Sequence, residues 1–452
     1  MNHRQTYRQH ARATLFLGLP LIASHIAQFA INLSDAVMLG WYSIEALATE
    51  VLGGTLFFVL FIMGSGFAWA LMPMVAGANA SNQQAQVRRV TRMATWLSMG
   101  YGILVIPLMF FADTLFKLAG QNPMIADMAA EYLRIICWGI LPAMMIMVLK
   151  CYLAALERTQ VVLWVTVVSV LVNIAINYLL IFGNWGFPEL GLRGAAIASF
   201  SVNLFGAIGL AIYAARALPE HALFQRLWRP DWEALIEVFR LGWPIGITNL
   251  AEVGLFAATS VMMGWIGTIP LAAHGIALQI TSVIFMVHLG LSNAATVRAG
   301  QAYARRDIRA LRDGAVVLAC LSGATVIMTS ILLLAAPDFL IGMFMSPAEV
   351  NRDQVSAIGR GLLAAAALYQ LVDAAQVQAI GLLRGMRDTR VPMIIAALSY
   401  WALGIPASYV FGFVFGWQGV GIWLGLAVGL ACAAVFMVIR FIRFTARESV
   451  AP

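Results

Sequence analysis

The sequence predicts an all-α polytopic membrane protein, with twelve transmembrane helices arranged as two parallel six-helix repeats. Three observations carry that expectation. The chain of 452 residues is 62% hydrophobic and only 11% charged, a balance that excludes an ordinary soluble domain. Apolar runs long enough to cross a bilayer recur along its whole length. The chain also repeats itself. Leu17-Gly18-Leu19-Pro20 returns as Leu241-Gly242-Trp243-Pro244, and Met38-Leu39-Gly40-Trp41 returns as Met262-Met263-Gly264-Trp265, both 224 positions later. Gly66 then falls opposite Gly290, and Ala76-Gly77 aligns with Ala299-Gly300 after a one-residue slip. Matches in the same order over about sixty residues mark a duplication.

A spanning helix needs about 20 apolar residues. The first run, 15–39, follows the basic MNHRQTYRQHARAT and has no small-residue cleavage site, so it reads as a span and not a signal peptide. Five more runs follow, at 47–75, 93–117, 128–150, 161–182 and 194–215. The connection 216–239 is the one long inner loop. Within it Pro230-Asp231 reads as a helix start, and Trp232, Leu235, Ile236 and Phe239 make an apolar stripe, the pattern of an interfacial helix leading into span seven. The second half supplies spans at 240–264, 271–297, 314–336, 358–383, 392–414 and 420–441. The expected organisation is therefore an N-terminal lobe 1–215, a linker 216–239 and a C-terminal lobe 240–452. Six spans return the chain to its starting side, so the repeats run parallel, related by an axis along the membrane normal.

Charge fixes the orientation. With the N-terminus placed in the cytoplasm, only Lys117, Arg134, Arg193, Arg352 and Arg360 of the 28 basic residues fall outside. That is the positive-inside pattern, which puts both termini in the cytoplasm of a cell inner membrane. The net charge of +7 thus reflects topology and implies no nucleic-acid partner. Cys137, Cys151, Cys320 and Cys432 lie in or beside apolar runs, which argues against a disulfide framework or a metal cluster.

Enzymatic signatures are absent. The only lysines, Lys117 and Lys150, follow Phe and Leu, so no phosphate-binding Gly-Lys loop exists. No two of the six histidines are spaced as a helical zinc site requires, and no G-x-S-x-G elbow occurs. The sequence therefore implies neither an enzyme nor a resident cofactor.

What remains is a set of acids inside spans: Asp35, Glu252 and Asp373. A carboxylate at the centre of a spanning helix costs on the order of 2.5–3.5 kcal/mol on insertion scales. No Lys or Arg is placed near the middle of a span, so each acid is expected to be protonated, hydrated or neutralised by an exchangeable cation. The surrounding patterns are polar stripes. Thr248, Asn249, Glu252 and Thr259 share a face of span seven. Ser24, Gln28, Asn32 and Asp35 do so in span one, and Ser169, Asn173 and Asn177 in span five. In span ten Tyr369, Gln370, Asp373 and Gln376 form a polar face that points towards Glu252 if spans seven and ten are neighbours. Each stripe has a plainer reading: Asp35 reaching the interface near its span end, Asn173 and Asn177 as hydrogen bonds between helices. Gln279, with His274 and His288, lines span eight. Phe256, Met262, Met263, Phe285 and Met286 are either an adaptable wall or ordinary packing.

At these residues the chain closely resembles the multidrug and toxic compound extrusion (MATE) family, in its NorM-like branch. The resemblance covers nearly the whole chain. It rests on the paired entries LGLPLIASHIAQFAINLSDAVMLGW and LGWPIGITNLAEVGLFAATSVMMGW, on PLAAHGIALQI, and on YQLVDAAQVQAIGLLRGMRDTRVP. It implies two six-helix lobes around a central cleft, and an antiporter that expels bulky organic cations as Na⁺ or H⁺ enters, with no obligate protein partner. By the family pattern Asp35 is the N-lobe acid, and Glu252, Tyr369 and Asp373 are the C-lobe cation site. Asn173 and Asn177 fall where an archaeal branch has an Asn and an Asp, so this chain lacks a second N-lobe carboxylate. The coupling ion stays open between Na⁺ and H⁺. A proton needs a single carboxylate, whereas Na⁺ needs several oxygens, which Glu252, Asp373, Tyr369 and Asn249 would supply. The richer oxygen set favours Na⁺. Two rivals are expected to differ in detail: a flippase for lipids or lipid-linked saccharides would want a basic cavity, and a cation channel would repeat one pore segment in both halves.

Overall fold

The computed structural model describes residues 6–118, 120, 123–345 and 350–448. Twelve helices among them are long and apolar enough to cross a membrane. They are α1 Tyr7–Tyr42, α2 Ile44–Ala80, α3 Gln84–Phe110, α4 Pro123–Ala155, α5 Thr159–Phe182 and α6 Leu192–Ala217, then α7 Trp232–Ile266, α8 Thr268–Ala304, α9 Ile308–Ala335, α10 Arg352–Gly385, α11 Arg390–Val414 and α12 Gln418–Glu448. No strand occurs among the described residues. Every predicted span is present, and most are longer than their apolar runs. Once a helix is nucleated each added residue gains a backbone hydrogen bond, so the end of the apolar stretch does not end the helix. Span three starts earlier than expected and stops at Phe110; residues 112–117, assigned to it from sequence, belong to a separate short helix, Ala112–Leu118.

The helix expected at Pro230-Asp231 does begin there, with the Asp231 carboxylate accepting from the Ala234 amide at 3.2 Å. It runs unbroken into span seven, so no separate interfacial helix exists. The connecting segment is pinned at three points. Arg89 Nη2 donates to Asp231 at 3.1 Å and to Glu233 at 2.8 Å. Trp96 Nε1 donates to the Leu227 carbonyl, and the Tyr152 hydroxyl meets His221 Nδ1 at 2.6 Å. Arg89 holds the Asp231 carboxyl below its ordinary range, and burial holds His221 below its ordinary 6.5.

The chain divides into two compact units: Met1–Ile22 with Ile247–Pro452, and Ala23–Gly246. Sequence reading placed the boundaries at 215/216 and 239/240. The structural cuts fall instead inside α1 and α7, again 224 residues apart, each two residues after a helix-internal proline, Pro20 or Pro244. Close glycine contacts hold the first parts of these helices. In the second unit a Cβ at Gly66 would lie 2.5 Å from the Gly242 carbonyl oxygen and the Gly246 nitrogen. In the first unit a Cβ at Gly290 would lie 2.7 Å from the Ile22 nitrogen. Only glycine lets the backbones approach this far. The offset also survives past these glycines: α2 and α8 end at Ala80 and Ala304, and left-handed Asn82 and Arg306 follow them. The one-residue slip read from Ala76-Gly77 is therefore not present in the helix ends.

Candidate functional site

In the unit containing Ile247–Pro452, α7 presents Asn249 and Glu252 one turn apart, and α10 presents Tyr369 and Asp373 likewise. The two helices meet through side chains. Arg384 Nη2 on α10 donates to Asn249 Oδ1 at 2.9 Å, and the rings of Phe256 and Tyr369 meet edge to face with centroids 6.3 Å apart. Asp373 feels the charge of Glu252, and the Tyr369 hydroxyl hydrogen-bonds Asp373. Asp373 is only 2% exposed, and its Oδ1 has no hydrogen-bond partner. Tyr369 is set by packing, since Trp423 meets it edge to face at 5.5 Å. Trp423 is fixed in turn by donating Nε1 to His274 Nδ1 at 3.0 Å. His274 Nδ1 is then the acceptor, so Nε2 carries the hydrogen and donates to Ser260 at 3.1 Å.

The expectation of acids without a nearby base is corrected here. Arg384 is 8% exposed, and its charge acts directly on Glu252. Its place in the sequence groups it with the inner-loop arginines. But α10 continues to Gly385, and Arg384 stands eleven residues, three helical turns, after Asp373 on the same face. Tyr400 was missed as well. It is fully buried in a π-helical stretch of α11, Leu398–Gly404, within electrostatic reach of Glu252, Asp373 and Arg384. Such stretches often mark functional positions.

In the unit Ala23–Gly246, Asp35 is buried at 7% exposure and is not an interfacial carboxylate. Its Oδ1 accepts from Asn173 Nδ2 at 2.9 Å and from Asn177 Nδ2, and its Oδ2 accepts from Ser199 at 3.2 Å. Ser199 carries little signal in the sequence, where it stands among the small residues of Ala195–Ser201. Glu50 on α2 is a further acid inside a predicted span that pattern reading does not single out, and the charge of Asp35 acts on it. The expected polar face of α1 divides. Ser24 bonds Thr166, Gln28 is exposed and accepts from Lys150 Nζ at 3.1 Å, and Asn32 is exposed. Gln28 and Glu252 are repeat-equivalent, and each has a cation from the fourth span of its own repeat, Lys150 or Arg384.

The other expected members lie apart. Gln370 accepts from Thr329 on α9 at 2.7 Å and so turns away from the acids. Gln279 is exposed on α8. Met262 and Met263 are buried in the apolar core, which is the packing reading. Among the described residues no three His, Cys, Asp or Glu side chains converge as a metal centre would require.

The arrangement is a buried, oxygen-rich pair of acids with one internal cation. The MatE family model matches the chain twice, at residues 20–179 and 244–410. The chain belongs to the MatE family. The two matches start 224 residues apart, in step with the repeat. A probable multidrug resistance protein NorM of Rhizobium meliloti (strain 1021) is 44% identical over 446 residues, covering 98% of this chain and 95% of the relative. Another protein of that description, from Synechocystis sp., is 33% identical and covers 98% of this chain and 96% of the relative. Among solved structures, the eukaryotic MATE transporter AtDTX14 matches with a TM-score of 0.87 at 20% identity, over 98% of both chains. A MOP superfamily transporter from Pyrococcus furiosus, described as having a binding pocket of reverse polarity that suggests a different function, matches with a TM-score of 0.88 at 17% identity, over 98% of this chain and 97% of that one. At such identities the likeness concerns the fold alone. Members of the MatE family are transporters, and this chain is a multi-pass membrane transporter and not an enzyme.

Proposed function

We propose that the chain is a secondary-active multidrug efflux antiporter of the inner membrane, exporting organic, mostly cationic amphipathic compounds in exchange for Na⁺ by alternating access. The observation that carries the reading is the convergence of Glu252, Asp373 and Tyr369 beside Arg384. Two carboxylates and one guanidinium leave one negative charge when both acids are ionised, which suits one monovalent cation. Glu252, Asp373 with its unpartnered Oδ1, the Tyr369 hydroxyl and Asn249 are hard oxygen donors of the kind Na⁺ takes. An amphipathic organic cation would compete for the same negative charge, which is the condition for exchange. A proton could replace Na⁺ at either acid, so H⁺ coupling is the alternative to be tested. Glu252 and Asp373 also speak against a phosphate-bearing lipid cargo, because they would repel it.

Ethidium accumulation in an efflux-deficient bacterium tests the function. Expression of this chain should lower the dye level in cells supplied with Na⁺, and dye levels unchanged by expression would contradict the proposal. The asymmetry of basic residues supports cytoplasmic termini. A cysteine replacing Asn351 should react with a membrane-impermeant thiol reagent in intact cells, and one replacing Arg309 should not. Labelling of the latter without permeabilisation would invert the topology.

A further inference from the structure

The pinned connecting segment and α3 together build a basic corner in the unit Ala23–Gly246. Arg88, Arg92 and Trp96 follow one another at one-turn spacing along α3. Trp96 holds the Leu227 carbonyl and Arg89 holds Asp231, so residues 227–231 run along this face. The Arg229 amide closes a turn on the Arg226 carbonyl at 3.1 Å, with Arg226 left-handed at φ +52°, and this fixes the backbone that carries the Arg229 side chain. Arg92 feels the charges of both Arg88 and Arg229. Asp231 is the acid whose charge also reaches Arg92, and its oxygens are already taken. Arg89 donates to both, and the Ala234 amide donates to Oδ1. Among the described residues Arg88, Arg92 and Arg229 enter no ion pair, and Arg92 Nε is buried with no hydrogen-bond partner.

Like charges held together and a buried donor left unpaired both cost stability, and a bound anion relieves both. The surface below the corner is apolar and lies on the same side of α3 as Arg92. Ile103 and Phe110 stand eleven and eighteen residues further on. That is about three and about five turns, which brings both within about 20° of Arg92 around the helix axis. Both are exposed. On the connecting segment Trp228 is 76% exposed, and Trp232, at the start of α7, is exposed as well. Indole rings in such a place favour the level of the lipid headgroups.

We propose that Arg88, Arg92 and Arg229 bind the phosphate of an anionic phospholipid, with Trp228 and Trp232 at the glycerol level and an acyl chain along Ile103 and Phe110. Guanidinium forks suit the phosphate oxygens. Three of them around no uncommitted acid also repel the ammonium of a zwitterionic headgroup, which selects the anionic class. The apolar face of α3 in line with Arg92 selects a lipid phosphate over a dissolved one, and a basic site beside membrane spans is a common setting for such headgroups. None of these residues belongs to the acid pair, so the inference stands independently of the coupling ion. The bound lipid holds the connecting segment against α3.

The full-length protein, purified in detergent, is titrated with phosphatidylglycerol, phosphatidylcholine or inorganic phosphate, and binding is read by native mass spectrometry and by the shift in thermal unfolding. Phosphatidylglycerol should bind saturably and stabilise, with phosphatidylcholine and inorganic phosphate much weaker. Arg92→Gln should weaken phosphatidylglycerol binding by about tenfold or more. Arg229→Glu should do the same from an exposed position, so the test survives misfolding of the Arg92 variant. Arg309→Gln, which removes an exposed arginine of α9 outside the corner, should leave binding close to that of the parent. Unchanged binding in the folded Arg92→Gln and Arg229→Glu proteins would overturn the site, and so would an equal loss in Arg309→Gln. Inorganic phosphate displacing phosphatidylglycerol at comparable concentration would overturn the lipid assignment.

Discussion

Replacing Glu252 by Gln, or Asp373 by Asn, is expected to lower efflux of a cationic dye by about a hundredfold, equivalent to nearly 3 kcal/mol, while leaving the protein folded. Both substitutions keep side-chain shape and remove the charge. Asp373 is buried with one oxygen unpartnered, so the loss of its negative charge removes no structural hydrogen bond at Oδ1. Removing the Asp373 carboxylate also eases burial in the bilayer, whereas Glu252→Gln takes away a negative charge facing Arg384, which keeps its bond to Asn249. A structural role for these acids therefore predicts loss of protein, whereas a coupling role predicts loss of transport by a stable protein. Dye efflux measured alongside size-exclusion and thermal unfolding separates the two. Near-normal resistance in cells carrying both substitutions would leave the site without support. Asp35→Asn should impair export less, because the carboxylate already accepts from Asn173, Asn177 and Ser199 and is locally satisfied.

Arg384→Gln is the second large effect. The guanidinium, held by Asn249, supplies a positive charge near Glu252. On the proposed Na⁺ coupling, Arg384 would compete with the bound ion and help to release it. Charges close together and away from bulk water exchange several kcal/mol, so deleting this one should tighten apparent Na⁺ affinity by about tenfold or more. Maximal efflux should fall at the same time, because a tightly held ion leaves slowly. Arg384→Lys keeps the charge and should keep a Na⁺ dependence close to that of the parent. The concentration of Na⁺ giving half-maximal efflux, measured for both variants, decides the point. An unaltered value in Arg384→Gln would make the residue a structural pin only.

The fold was legible because the bilayer imposes a length and a composition on every span, and because the 224-residue repeat leaves Gly, Pro and Trp in step. The acids were legible for the opposite reason: Glu252 and Asp373 break the apolar pattern at a cost that packing alone does not explain. Arg384 was hidden by its neighbours. Counting charge by loop grouped it with Arg387 and Arg390, while helical spacing from Asp373 would have put it on the buried face. Tyr400 carried no signal, since an aromatic residue in an apolar run looks like core until a π-helical stretch turns it towards the acids. The division of α1 and α7 between units was also out of reach. It depends on close approaches such as Gly66 to Gly242 and Gly290 to Ile22, which pattern reading cannot pair.

The central claim is that Na⁺ moving inward through Glu252, Asp373 and Tyr369 drives an organic cation outward. Proteoliposomes with the membrane potential clamped test it most directly. An inward Na⁺ gradient with no pH gradient should drive efflux of an ethidium-like cation, and Tyr369→Phe, which removes one oxygen ligand, should raise the Na⁺ concentration needed. Efflux that follows an imposed pH gradient and ignores Na⁺ would contradict it.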